Sequence, residues 1–513
     1  MTRLAAPVPL YWALLGLVCW LPIPLGSNRN WAWAIAVAWI GLLAIGWLAA
    51  WASGRAEVTY PYRKARAAMV LFGLWITWLV VQLIPLPPGW LAILSPEALG
   101  HYQSAPDAEI TGTLLARWLP DHFLPITVDQ TATLKFLARS FAYVTLFALV
   151  LLTVTSRERL RGLGYALVLS GLFQASYGGL MTLSGIEWGF GPKEHGLGVA
   201  TGTFVNRNHL AGYLEMTLAV GIGLLIADLG GGTATHWRAR LRDWIAVILS
   251  RKAIVRLALV VMVIALVLTR SRMGNTAFFT SLLIAGAIAL MQSRHATRST
   301  IVLLVSLLVI DLFIVGAWFG VDQVIDRLRG TEAVVLETPA TSQQLRQARE
   351  DGGAPVSGDL PDPGEGRARR FHLVTEDRDE IADSALVLRE RFPVTGSGGG
   401  TFYGIYPITR QETMRAWNDH VHNDYIQLLV ETGPLGLLLL GGVVVLAFAK
   451  ALTAQQRRRD PLTRGMAFAV IMGGSALMLH AITDFNHQIP ANAATFTMLL
   501  ALAWLARHLG HER

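Results

Sequence analysis

Twelve apolar runs dominate this 513-residue chain. They fall at 5–25, 31–51, 67–84, 133–154, 162–183, 209–229, 254–269, 273–291, 300–321, 434–450, 465–483 and 493–507. A helix that crosses the hydrocarbon of a bilayer needs roughly 17–25 mostly apolar residues. In hydrocarbon the backbone polar groups must be satisfied within the segment itself, so runs of this kind fold as helices. The sequence therefore predicts an all-α polytopic membrane protein with about twelve spans. Composition agrees: 53% of residues are hydrophobic and only 15% charged, against about 25% charged in a soluble domain. A soluble single-core globule and a disordered chain are both excluded. The first run holds Pro22 and Pro24, lacks a small-x-small cleavage site and leads straight into the next, so it reads as a helix and not a signal peptide. The fourth carries Lys135 and Arg139 near one end, where long basic side chains snorkel to the interface. The one cysteine, Cys19, permits no intrachain disulfide.

Twelve crossings return both termini to one side. With the termini in the cytoplasm, the cytoplasmic segments hold 23 Lys and Arg and the short outside loops six. Those six are Arg29, Arg117, Lys193, Arg207, Arg270 and Arg272. This is the positive-inside distribution. The formal charge of +8 is then mostly a topology signal, and nucleic acid loses its main support as a partner. The organisation expected is nine helices over 1–321, an outer loop or cap over 322–432, and three helices with a cytoplasmic tail over 433–513. Within the cap, 338–370 is rich in Pro, Gly and charge and reads as a flexible insertion. An amphipathic helix is expected at about 379–391, with Ile381, Ala385 and Leu388 on one face.

Four polar stretches interrupt the apolar pattern at the outer side. The first is His422-Asn423, nine residues, then Gly433-Pro-Leu-Gly436. His422 is expected in the first turns of a helix that includes Tyr425, where the positive end of the helix dipole disfavours imidazolium. A neutral imidazole suits a general base near pH 7; a structural histidine at a loop–helix junction is the alternative. The second stretch clusters Asn206, Arg207, Asn208 and His209 at the start of the sixth span. Helix capping with an interfacial Arg is the plainer reading. The third is Arg270 and Arg272 in a tight outside turn. Two guanidiniums there suit an anionic ligand such as a phosphate, or they snorkel at a hairpin tip. The fourth is 480–490, in which Asp484, Asn486 and His487 either face one cavity or form a polar turn. His420, His422 and His487 lack a metal-ligand spacing, and no metal is expected. The run 396–400, GSGGG, lacks the Lys-Ser/Thr of a phosphate loop and reads as a mobile turn allowing close backbone approach.

Together these residues resemble the O-antigen ligase and polymerase superfamily, bacterial membrane proteins with a Wzy-C, WaaL-like domain. The resemblance covers roughly 190–505. It rests on His422-Asn423…Gly433-Pro-Leu-Gly436, with Glu431 two residues before the first glycine, and on GTFVNRNHLAGYL (202–214) and HAITDFNHQIPAN (480–492). It implies a GT-C type fold in the bacterial inner membrane, with a large outer loop between two late spans. It implies metal-independent, cofactor-free transfer of a glycan from an undecaprenyl-diphosphate donor at the outer leaflet, to lipid A–core or to another glycan. His422 matches the family's essential histidine. Arg270 or Arg272, with Arg207, matches the donor-diphosphate arginines, and Asn206, Asn208, Asn423, Tyr425, Asp484 and His487 are expected to support them. The ligases often show Arg-x3-Leu in that turn; here Thr276 follows Arg272 at that spacing and Gly274 follows Arg270. Ligase and polymerase therefore stay open. A transporter without chemistry is the more distant reading, because the polar residues gather at the outer surface and not at midplane.

Overall fold

The computed structural model describes residues 7–104, 123–188, 193, 196–228, 251–292, 381–409 and 419–510. Helices run Val8–Trp20 (α1), Asn30–Ala52 (α2), Arg66–Leu83 (α3), Gln130–Thr153 (α4), Arg157–Ser184 (α5), Arg207–Asp228 (α6), Arg251–Leu268 (α7) and Arg272–Gln292 (α8). A helical stretch over 381–391 (α9) follows, then Asp424–Arg457 (α10), Pro461–His480 (α11) and Pro490–His508 (α12). Eight of these are long and apolar enough to cross a membrane: α2 to α6, α8, α10 and α11. Helices α1 and α7 are shorter apolar helices. Helix α12 falls short of that apolarity, and nearly every side chain on it is buried. Every expected run except the ninth thus holds a helix; 300–321 and the insertion 338–370 lie outside the described residues.

Local chemistry sets the helix ends. Helix α1 stops at Trp20, just before Pro22 and Pro24, residues that cannot continue the hydrogen-bond ladder. Ser156 caps α5 by accepting from Arg159 N at 3.2 Å, and Gly185 closes it with a left-handed φ of 70°. Asp129 and Asp460 cap α4 and α11 in the same way.

The bundle has two chemically different ends. At one, Arg157 pairs with Asp460 at 3.0 Å, Arg161 with Asp228 at 3.4 Å, and an Arg458 Nη donates to Leu509 O at 2.7 Å. The start of α1 also lies there, where the Tyr11 hydroxyl donates to Arg159 O at 2.7 Å. At the other end, the segment before α2 meets the segment before α6 (Thr203 Oγ1 to Pro22 O, 2.6 Å), and α6 meets α12 (Asn492 Nδ2 to His209 O, 3.0 Å). Exposed Trp31 and Trp51 bracket α2. At 1.5 Å per residue they stand about 30 Å apart, the thickness of a hydrocarbon core.

Helix α6 is the axis of the bundle. Its apolar stretch is 94% buried, against 28% for α2, α3 and α10, which face outward. It crosses α11 at Gly223 and Gly465, where a Cβ on either residue would run into the other's carbonyl oxygen. Small residues that let backbones touch replace the hydrophobic drive that lipid does not supply. At the end opposite the basic one, a satellite core packs Ile381, Ala385 and Leu388 of α9 with Phe402, Tyr406, Val421 and Val430, and with Leu91, Ala98, Leu124 and Ile126 from the segment between α3 and α4.

Substituting Val for Gly465 is expected to destabilise the bundle by about 1–3 kcal/mol through overpacking. A thermal unfolding series in detergent reads this as a lowered Tm. Gly41→Ala, with nothing within 4 Å of the added methyl, is the neutral control.

Candidate active site at one end of the bundle

Two loops carry the site: 419–423, leading into α10, and 481–489, joining α11 to α12. They are knitted together. Asp424 N donates to Ala481 O at 3.0 Å, and Asp424 Oδ2 accepts from His487 N at 2.9 Å and lies 2.8 Å from His487 Nδ1. Asn423 is the N-cap of α10; its Oδ1 accepts from Tyr425 N and Ile426 N at 3.0 and 3.1 Å. His422 therefore stands outside the helix, not in its first turns. Asn is among the best N-caps, and the cap position fixes where the helix starts. His422 takes a left-handed φ of 57°, a conformation that a non-glycine residue holds only where its surroundings over-determine it.

Those surroundings centre on Asp484, which is 1% exposed. Its Oδ1 lies 3.6 Å from His422 Nδ1 and 3.7 Å from His209 Nε2, ion-pair distances rather than hydrogen bonds. Asn208 Nδ2 donates to its Oδ2, and Phe485 N to its Oδ1 at 2.9 Å. Burial alone would raise the Asp484 carboxyl; the flanking His209 and His422 outweigh it and hold it well below the usual carboxylate range. The Phe485 ring fills the space between three imidazoles, with centroids 4.7 Å from His209, 4.3 Å from His420 and 4.8 Å from His422.

The first histidine of His-Val-His, His420, makes its polar contacts elsewhere. His420 Nδ1 lies 3.2 Å from Gln427 Oε1, and Gln427 Nε2 donates to Glu431 Oε1 at 3.1 Å. Burial pushes the His420 imidazole down, more than the nearby Asp419 carboxylate raises it. Glu431 in turn accepts from Gly400 N at 2.8 Å and Phe402 N at 3.3 Å, while Gly399 N donates to Gln82 Oε1 at 3.2 Å. The 396–400 run is thus a mostly buried loop bonded onto α10 and α3, in place of the mobile turn its composition predicts. Its close approach is real: a Cβ on Gly396 would collide with Glu431 O. Just beyond Glu431, Gly433 (φ 66°, ψ −177°) breaks α10 before Pro434.

Of the residues predicted from sequence, His422, Asp484 and Asn208 come together. Asn206 Oδ1 accepts from Asn208 N at 2.9 Å and positions it. Asn423 is spent on the cap. The Tyr425 hydroxyl donates to Met478 O at 2.8 Å, and His487 pairs with Asp424, not Asp484. Arg207 and Arg272 are exposed at the starts of α6 and α8. Arg270 is exposed with a left-handed φ of 51° in the turn before α8. The α8 start packs on α6, since a Cβ on Gly274 would lie 2.7 Å from Ala211 Cβ. Sequence reasoning left His209, Phe485 and Asp424 off the site; all three lie within or beside strings already marked as unusual. Deeper in the bundle, His480 Nδ1 and Glu215 Oε1 form a buried pair at 2.8 Å.

Chemically, the arrangement is an imidazole backed by a buried carboxylate. Nδ1 is the ring nitrogen turned toward Asp484, at 3.6 Å, and Nε2 is the other. His422, with 20% of its side chain exposed, is the more accessible member of the pair. Fold and site together define a polytopic helical membrane protein with a histidine–carboxylate pair at one membrane boundary. Residues 257–441, which include Arg270, Arg272 and His422, match the family model described as O-antigen ligase. The match supports placing the chain in the O-antigen ligase/polymerase superfamily. No curated protein matches the chain.

Asp484 sits below its unfolded value, so its contribution to stability is fully present above about pH 4 and is lost as pH falls through the depressed folded value. Asp484→Asn is expected to lower Tm at pH 7 and to flatten the acid-side fall seen in the wild type. Thermal unfolding in detergent across pH 3–7 reads both effects; identical curves for the two proteins would contradict the assignment.

Proposed function

We propose that this chain is an inner-membrane glycosyltransferase that moves a glycan from an undecaprenyl-diphosphate donor to a surface acceptor such as lipid A–core, without metal. The observation that carries this is the His422–Asp484 pair at the membrane boundary, inside or next to the O-antigen ligase match. The basic end of the bundle is then cytoplasmic, with both termini, and the site faces the periplasm. Residues 1–321 and 433–513 supply the flanking spans.

In this mechanism His422 Nε2 accepts the proton of the acceptor hydroxyl. The acceptor oxygen bonds to the anomeric carbon as the bond from that carbon to the phosphate oxygen breaks. The electron pair leaves with the lipid diphosphate, and in-line attack inverts the anomeric centre. Asp484 stabilises the imidazolium that forms. Arg270, Arg272 and Arg207 are proposed to take the charge developing on the diphosphate, a type of stabilisation usually among the largest in catalysis. Asn208 and Asn206 hold Asp484 in place, and Asn423, Tyr425 and His487 hold the two loops.

A repeat-unit polymerase uses the same donor chemistry with a growing chain as acceptor. The turn sequence favours this second reading, because Thr276 and Gly274 stand where a ligase often has Leu. A deletion strain separates the two: the ligase reading expects loss of surface polymer with long lipid-linked chains accumulating, and surface glycan capped at one repeat supports the polymerase. With purified protein and a lipid-diphosphate oligosaccharide, His422→Ala is expected to lower the transfer rate by about 10²–10⁴-fold. Unchanged transfer in His422→Ala and in the Arg270→Ala, Arg272→Ala double variant would sink the catalytic assignment.

A further inference from the structure

A cavity of about 220 Å³ opens between α3, α4, α10 and α12. Its wall is mostly apolar, with Trp75, Phe136, Leu440 and Phe496 among the lining residues. Arg139, on α4, is the only Lys or Arg that lines it. This arginine sits nine residues into a membrane-spanning helix. Its Nε is buried without a hydrogen-bond partner, and among the described residues no carboxylate lies within ion-pair distance of it. The guanidinium carbon rests 4.9 Å from the Trp33 ring centroid, which steadies a cation but does not satisfy its planar donors. Asp424, on the same wall, stands beyond ion-pair distance of it, which leaves the guanidinium donors open to an anionic partner. Trp33, the fourth residue of α2, puts the guanidinium near the active-site end. The same cavity is lined by Asp424 and Tyr425, two and three residues beyond His422. Asp424 keeps one oxygen on His487 and leaves Oδ1 buried and unpartnered at this wall.

We propose that this cavity seats the isoprene units nearest the phosphate of the donor lipid, with Arg139 taking a phosphate oxygen at its mouth. The inference rests on the proposed function and gives the lipid a place in it. The mostly apolar wall suits hydrocarbon better than a glycan, whose hydroxyls would lose hydrogen bonds over most of it. A planar guanidinium with free donors suits a phosphate. The adjacency of the cavity to the His422 loop brings a phosphate-bound anomeric carbon toward the base. The deep carboxylate Asp424 repels a second anion, so one phosphate stands at Arg139 and the remainder of the headgroup points outward, toward the exposed arginines at that end.

Full-length protein in lipid nanodiscs, probed with farnesyl diphosphate, farnesol and inorganic diphosphate, tests this by equilibrium binding. The wild type is expected to bind farnesyl diphosphate at least tenfold more tightly than either fragment. Arg139→Gln should reduce farnesyl diphosphate to the level of farnesol, with Arg139→Lys restoring part of the difference. Gly441→Phe fills the cavity from a position where an added Cβ meets nothing within 4 Å, and should weaken farnesyl diphosphate and farnesol together by at least tenfold at unchanged Tm. Wild-type binding by either Arg139→Gln or Gly441→Phe overturns the proposal. Glycan transfer, read on the same preparations, keeps the two ideas apart. Binding as expected with no transfer by the wild type leaves the cavity assigned and the proposed reaction wrong. Transfer with binding indifferent to both substitutions leaves the reaction standing and the cavity assignment wrong.

Discussion

The structure turns on one buried carboxylate. Asp484 is almost wholly removed from water and lies between two imidazoles that come from distant parts of the chain. An isolated carboxylate in such a place would be neutral or would not be buried at all. Its ionisation is stabilised by His209 at the start of α6, His422 ahead of α10 and the Asn208 amide. In satisfying the charge, these groups fix three helix ends against one another. The left-handed backbone of His422, the cap at Asn423 and the Asp424–His487 cross-link are consequences of that arrangement. Each helps hold the His422 ring in place.

The bilayer explains why this polar cluster sits where it does. Hydrocarbon tolerates few unpaired polar groups, so the spans surrender their chemistry to the ends. One end collects basic residues and ordinary ion pairs. The other collects histidines, asparagines and exposed arginines. Between them, α6 and α11 approach so closely at Gly223 and Gly465 that the axis of the bundle has little room to move. Charged groups also occur within the spans: His480 and Glu215 face each other at 2.8 Å, and Arg139 has a buried Nε with no hydrogen-bond partner.

Much of the fold was legible because transmembrane helices announce themselves by length and apolarity alone. Helix α1 is shortened where Pro22 and Pro24 stand, and α12, although less apolar, is almost wholly covered by protein. The spacing of the His422 motif also has a plain geometric meaning: Asn423 caps a helix and Gly433 breaks it ten residues later. The tertiary site was less legible. His209 and Asp484 are 275 residues apart, and Phe485 became visible as the packing centre of three imidazoles only once the loops were folded together. His422 was misplaced by a few residues, because helical spacing continues smoothly through a cap that the Asn side chain, not the pattern, determines. Arg139 looked like an ordinary snorkelling residue, since a cavity built by four helices leaves no mark on any one of them.

A double-mutant cycle on glycan transfer by purified protein tests the central claim, that His422 and Asp484 act as one unit. Residues that share a single catalytic function are strongly non-additive. The rate of His422→Ala with Asp484→Asn should therefore lie close to that of His422→Ala alone. Rate losses that multiply would mean that the two residues act independently, and would contradict the account.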